Sequence, residues 1–98
     1  MRQPIDIPWL TDASIASIGQ YISADMYILE FGAGGSTVWF SQRCRVVTIE
    51  HDQKWLTAIA EHVNEANSER LLLPRPYWGV CKRWKPETFD LVLVDGRD

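Results

Sequence analysis

The apolar run Met26-Tyr27-Ile28-Leu29 ends in Glu30 and breaks at once into Phe31-Gly32-Ala33-Gly34-Gly35-Ser36-Thr37. No other feature limits the fold of this chain as strongly. A strand that stops at an acid, bends through glycines and restarts as a helix can seat a small ligand in its turn. Glycine at 32 and 34 permits a tight bend and lets a ligand approach the backbone with no Cβ in the way. The helix that follows is expected to offer unpaired N–H groups and a positive dipole end to an anionic group. The same glycines also fit an ordinary strand-to-helix turn that uses them for geometry alone.

A second strand narrows the choice. Arg45-Val46-Val47-Thr48-Ile49-Glu50 is β-branched at positions 46 to 49 and again closes on an acid. Glu50 lies 20 positions after Glu30. In βαβ units that bind dinucleotides, a carboxylate about 20 residues beyond the glycine turn accepts hydrogen bonds from ribose hydroxyls. Its two oxygens suit two vicinal hydroxyls. The plainer reading is a surface glutamate at a strand end. The pyrophosphate pattern G-x-G-x-x-G fails here, because counting from Gly32 and Gly34 its third glycine would fall at Thr37. Glu30 would repel a diphosphate and favour an ammonium group, so the pattern suits a nucleoside that carries an amine. An NAD-binding Rossmann domain stays as the lesser reading.

At this point three stretches together resemble the class I S-adenosylmethionine-dependent methyltransferases. They are residues 29–37, then Thr48-Ile49-Glu50-His51-Asp52 with Trp55, then residues 89–97 with Asp95. The similarity is closest to the subgroup whose first motif reads E-F-G-x-G-G-S-T, and it spans positions 26–98. It implies a transferase that uses S-adenosyl-L-methionine as cofactor and is silent on the methyl acceptor. The implied cofactor-binding residues are Glu30, Phe31, Gly32, Ala33, Gly34, Gly35, Ser36, Thr37, Glu50, His51 and Asp95. Glu30 and the glycine turn would take the methionine end, Glu50 the ribose, and His51 would flank the adenosine. Asp95 would stand by the methionine or the acceptor, and it is the one weak candidate for a catalytic base. The chain departs from the broader family at Ser36, where many members have a third glycine. It also shows no clear acid after its third strand to meet the adenine amine. The resemblance implies a seven-stranded sheet ordered 3-2-1-4-5-7-6, of which this sequence supplies four strands. The expectation is a C-terminally incomplete methyltransferase whose fourth strand is exposed to a partner or to self-association.

Composition bounds the rest. Ninety-eight residues with 46% hydrophobic and 23% charged side chains suit one small globular domain, residues 1–98, with an irregular lead-in over 1–10. A net charge of −3 gives no general pull toward nucleic acid or an anionic membrane. No apolar stretch approaches the roughly 20 residues of a membrane span, and the start lacks an apolar signal core, so a cytoplasmic setting is expected. Cys44 and Cys81 have neither C-x-x-C spacing nor a histidine at a zinc-site interval, so no metal is expected. Asp95 with Asp98 is too small an oxygen set for magnesium. Arg43 and Arg45 flank Cys44 and could lower the pKa of its thiol.

Along the chain, Thr11 or Asp12 caps a first helix whose Ile15, Ile18 and Ile22 follow helical spacing. A strand over 26–31, a helix over 36–43 and a strand over 45–50 follow. Asp52 caps a helix over 53–67, in which Trp55 is a packing anchor or an adenine-stacking wall. A short strand over 70–73 ends at Pro74, and residues 89–94 form a continuous apolar strand of the kind buried on both faces of a parallel sheet. Strands alternating with helices give a Rossmann-like, doubly wound α/β fold. One segment suggests another function. Arg70, Arg75, Lys82, Arg83 and Lys85 interleave with Tyr77, Trp78 and Trp84, with no acid from 70 to 85. Such a loop could bind single-stranded RNA, or its tryptophans could fold back on the core. A non-catalytic remnant, folded or not, that binds no ligand is the third reading.

Overall fold

The computed structural model describes residues 12–74 and 78–94. Within them the chain alternates helix and strand: α1 (Asp12–Tyr21), β1 (Tyr27–Phe31), α2 (Gly35–Ser41), β2 (Arg45–Glu50), α3 (Gln53–Ala60), β3 (Ser68–Leu72) and β4 (Leu91–Val94). Short 3-10 turns lie at Glu65–Asn67 and Trp78–Arg83. The strands form one parallel sheet in the order β3-β2-β1-β4. This is a Rossmann-like α/β arrangement with the order expected for its first four strands. Thr11, the lead-in over 1–10, Arg75, Tyr77, Asp95 and Asp98 lie outside the described residues.

Period-two alternation assigns each strand residue to a face. Ile28 and Val46 point to one side and pack with Phe40 of α2, Cys44, and Ile18 of α1. Successive right-handed crossovers from β1 to β2 and from β2 to β3 run in one direction, which puts α2 and α3 on one face. Those two helices join through Ala33, Val38, Leu56 and Ile59, a buried cluster that extends the same layer. On the opposite face Leu29, Val47 and Ile49 meet Phe31, Leu71, Trp84 and Phe89. The first half of the sheet is therefore closed on both sides.

Three expectations need correction. The third helix ends at Ala60 and does not run to 67. The backbone N–H groups of His62 and Val63 fold back to the Ile59 carbonyl, and the Asn64 side chain then accepts from Ala66 N to start a 3-10 turn. Asn67 Nδ2 donates to the Ser41 carbonyl at 2.9 Å, which fixes where the chain leaves the helix. The third strand starts earlier, at Ser68, because β2 offers it a parallel partner from Val46 onward. The fourth strand is shorter, and only one of its faces is covered, its residues half-buried. Leu91 and Leu93 pack beneath the helices, whereas Val92 and Val94 are 51% and 66% exposed. Its apolar composition could not distinguish one covered face from two.

Gly19 sits within α1, and a Cβ built there would meet only the Trp39 ring, at 3.8 Å. That is an ordinary contact distance, so alanine should fit while removing the entropic cost of a helical glycine. Gly19→Ala is expected to stabilise the fold by about 0.5–1 kcal/mol, read as a higher urea midpoint at unchanged m-value.

Candidate functional site

The C-terminal ends of β1 and β2 bring the two predicted acids to adjacent strand tips. In the parallel register Glu30 pairs with Thr48, and Gly32 N donates to the Ile49 carbonyl at 2.7 Å, one step past the end of β1. Glu30, Thr48 and Glu50 alternate onto the helix-covered face. Gly32 takes φ 101°, a conformation glycine reaches freely and L side chains rarely adopt. Gly34 precedes α2, and a Cβ there would meet no heavy atom within 4 Å, so the backbone borders open space. A ligand could approach this turn closely.

Each acid is buried and surrounded by donors. Glu30 is 1% exposed. One carboxylate oxygen accepts from Ser36 Oγ. The other accepts from Thr37 Oγ1 at 2.5 Å and from Thr48 Oγ1 at 3.1 Å. Thr37 Oγ1 also accepts from Gly34 N at 3.1 Å, linking the acid to the turn. Glu50, 2% exposed, accepts from Ala33 N at 2.8 Å through Oε1. Its Oε2 accepts from His51 N at 3.0 Å and Asp52 N at 2.9 Å. His51 Nδ1 stands 3.2 Å from the same oxygen, with its side chain 32% exposed. Asp52 caps α3 as expected, accepting from Lys54 N at 2.9 Å. The structure thus gathers Glu30, residues 31–37, Glu50 and His51 at one edge of the sheet. Asp95 follows β4 and lies outside the described residues.

Thr48 is the member of this cluster that sequence reasoning passed over. Its signal was available: a hydroxyl two residues before a strand-end acid shares that acid's face. The N-terminus of α2 is less than was expected of it. The helix has only seven residues, and Thr37 N already donates to the Gly34 carbonyl.

Two other expectations resolve differently. Cys44 is buried, and burial pushes its thiol pKa up, with Arg43 offsetting this only in part. The flanking guanidiniums are engaged elsewhere: Arg43 lies over the Trp39 ring at 4.0 Å, and Arg45 over the Tyr27 ring at 4.3 Å. Trp84, in the basic aromatic segment, packs edge-on against Phe89 with ring centroids 5.0 Å apart and joins the core. A hollow of about 300 Å³ lies between Leu29, Val92 and residues 84–89. Leu29 places it on the face opposite the acids, away from the glycine turn. Trp55 is half-buried on α3.

No protein-family model matches the chain, and no curated protein matches it. Among the described residues no helix is long and apolar enough to cross a membrane.

Two outcomes follow from this packing. Thr48→Val removes a fully buried hydroxyl from Glu30 at constant shape and should cost about 1.5–3 kcal/mol in chemical denaturation, against about nothing for Thr57→Val on the exposed side of α3. In a Cys81→Ser background, Cys44 should resist alkylation even when the pH is raised through the ordinary thiol range, and react fast once urea unfolds the chain. Rapid native-state labelling at pH 7 would contradict the buried assignment.

Proposed function

We propose that the tips of β1 and β2 hold S-adenosyl-L-methionine, and that the chain is the cofactor-binding part of a class I methyltransferase domain. The observation that carries this reading is the fastening of the glycine turn to the β2 tip, with Gly34 bordering open space beside it. Ligands of open parallel sheets bind outside the carboxyl ends of the strands. The methionine end would rest along residues 32–35, and the ribose would lie over the β2 tip beside Glu50 and His51. Both Glu30 and the Thr37 position speak against a dinucleotide. Thr37 occupies the place of the third glycine, is fully buried, and donates to an acid that would repel a diphosphate.

The cofactor supplies an electrophilic methyl group on a sulfonium. The contribution of the chain is to orient the bound cofactor, exclude water from it and leave the methyl open to an acceptor. Any proton lost by the acceptor as it takes the methyl group would go to a carboxylate base, for which Asp95 is the nominee. The acceptor is not named by anything at this edge. Binding of RNA by residues 70–85 is the weaker reading, because Trp84 is committed to Phe89 and the core.

S-adenosylhomocysteine should raise the melting temperature, by about 2.7 kcal/mol of stabilisation at a hundredfold excess over Kd. For a domain of this size that is a shift of roughly 10–20 °C. NAD at the same concentration should leave the transition in place. A flat response to millimolar S-adenosylhomocysteine would refute the assignment.

A further inference from the structure

The Glu50 carboxylate joins two backbone segments. Oε1 takes the N–H of Ala33, in the turn between β1 and α2. Oε2 takes the N–H groups of His51 and Asp52, in the turn between β2 and α3. The parallel ladder stops one step earlier, at Gly32 N to the Ile49 carbonyl, because the chain beyond Glu50 turns away into α3. Ala33 itself is 1% exposed, so solvent cannot replace the carboxylate at its N–H. A glutamate offers about four lone-pair sites. Three backbone donors occupy most of them, and the residue is almost wholly out of water.

We propose that Glu50 is a positioning residue: it clasps the glycine turn to the β2 tip and governs the ligand through the Ala33–Gly34 backbone, without bonding the ribose hydroxyls itself. The ligand half of this statement rests on the function proposed above; the clasp itself does not. Its chemistry is that of a buried anion-type acceptor holding three backbone N–H groups, one of them the buried Ala33 N–H. A ribose hydroxyl could reach Glu50 only by displacing one of those amides, which would loosen the turn that the methionine end is to occupy.

The test compares amide hydrogen exchange in the ligand-free protein with a ligand cycle. Glu50→Ala should speed exchange at Ala33, His51 and Asp52 by about tenfold or more beyond any rise at Val47, which reports global opening. Glu50→Gln keeps one oxygen, so it should free one side of the clasp and spare the other; this variant serves if Glu50→Ala does not fold. Equal acceleration at Val47 and Ala33, or none at Ala33, overturns the clasp. In the cycle, S-adenosylhomocysteine and its 2′,3′-dideoxy analogue are titrated against the parent and Glu50→Gln. Positioning predicts that the variant weakens both ligands by the same factor. A hydroxyl preference present in the parent and lost in Glu50→Gln shows direct ribose contact and overturns the proposal. If neither ligand binds the parent, the methyltransferase reading fails, while the exchange data alone decide whether Glu50 holds the turn.

Discussion

Two carboxylates are buried at neighbouring tips of one parallel sheet, and the structure around them follows from the need to hydrogen-bond every oxygen. A carboxylate left without partners in such a place would cost more than most single contacts in a small domain can offset. Glu30 meets the requirement with three hydroxyls drawn from two elements, Ser36 and Thr37 on α2 and Thr48 on β2. Glu50 meets it with three backbone N–H groups drawn from two turns. The consequence reaches beyond the acids. α2 must begin close to β1, the glycine turn must stay tight, and β2 must leave its ladder at Glu50. Local geometry and site geometry are therefore the same constraint.

The two faces of the sheet are served unequally. α1, α2 and α3 cover the face that carries Ile28, Glu30 and Val46, and they bury it thoroughly. The other face relies on Trp84, Phe89, Leu71 and Leu73 around Leu29, Val47 and Ile49. Coverage thins toward β4, where Val92 and Val94 stand open and, among the described residues, the strand pairs only with β1. Asp90 secures the start of that pairing, accepting from Tyr27 N at 2.8 Å while its own N–H donates to the Tyr27 carbonyl. The acids lie on the well-covered face, where Leu93 of β4 stands in register beside Glu30.

Much of the frame was legible because it rests on short-range chemistry. The apolar runs, the glycine break after Phe31 and the Asp52 cap predict strands, turn and helix within a residue or two of where they stand. Glu30 and Glu50 were legible as a pair, because strand-end acids one βαβ unit apart must reach the same edge. Their surroundings were not. That Glu50 faces backbone amides depends on how Ala33 is carried back to β2, and that the Cys44 thiol pKa is pushed up despite the arginines beside it depends on its burial beneath the sheet's helices. The helix over 53–67 was overextended for a similar reason: its apolar stripe persists to Val63, while the break is imposed by Asn64 and by Asn67 reaching across to Ser41.

By itself the sequence determined the alternation of elements, the parallel sense of the strands and the edge at which the acids would meet. Each follows from residue period, turn chemistry and the handedness of crossovers, which act over a few residues or are fixed for all L-chains. The tertiary structure alone decided which donors fill the carboxylate oxygens, which face of β4 is covered and where α3 stops. The contacts that settle them include Ala33 to Glu50, Thr48 to Glu30, Asn67 to Ser41 and Tyr27 to Asp90, pairs 17 to 63 positions apart, and no local pattern encodes the direction of such a contact.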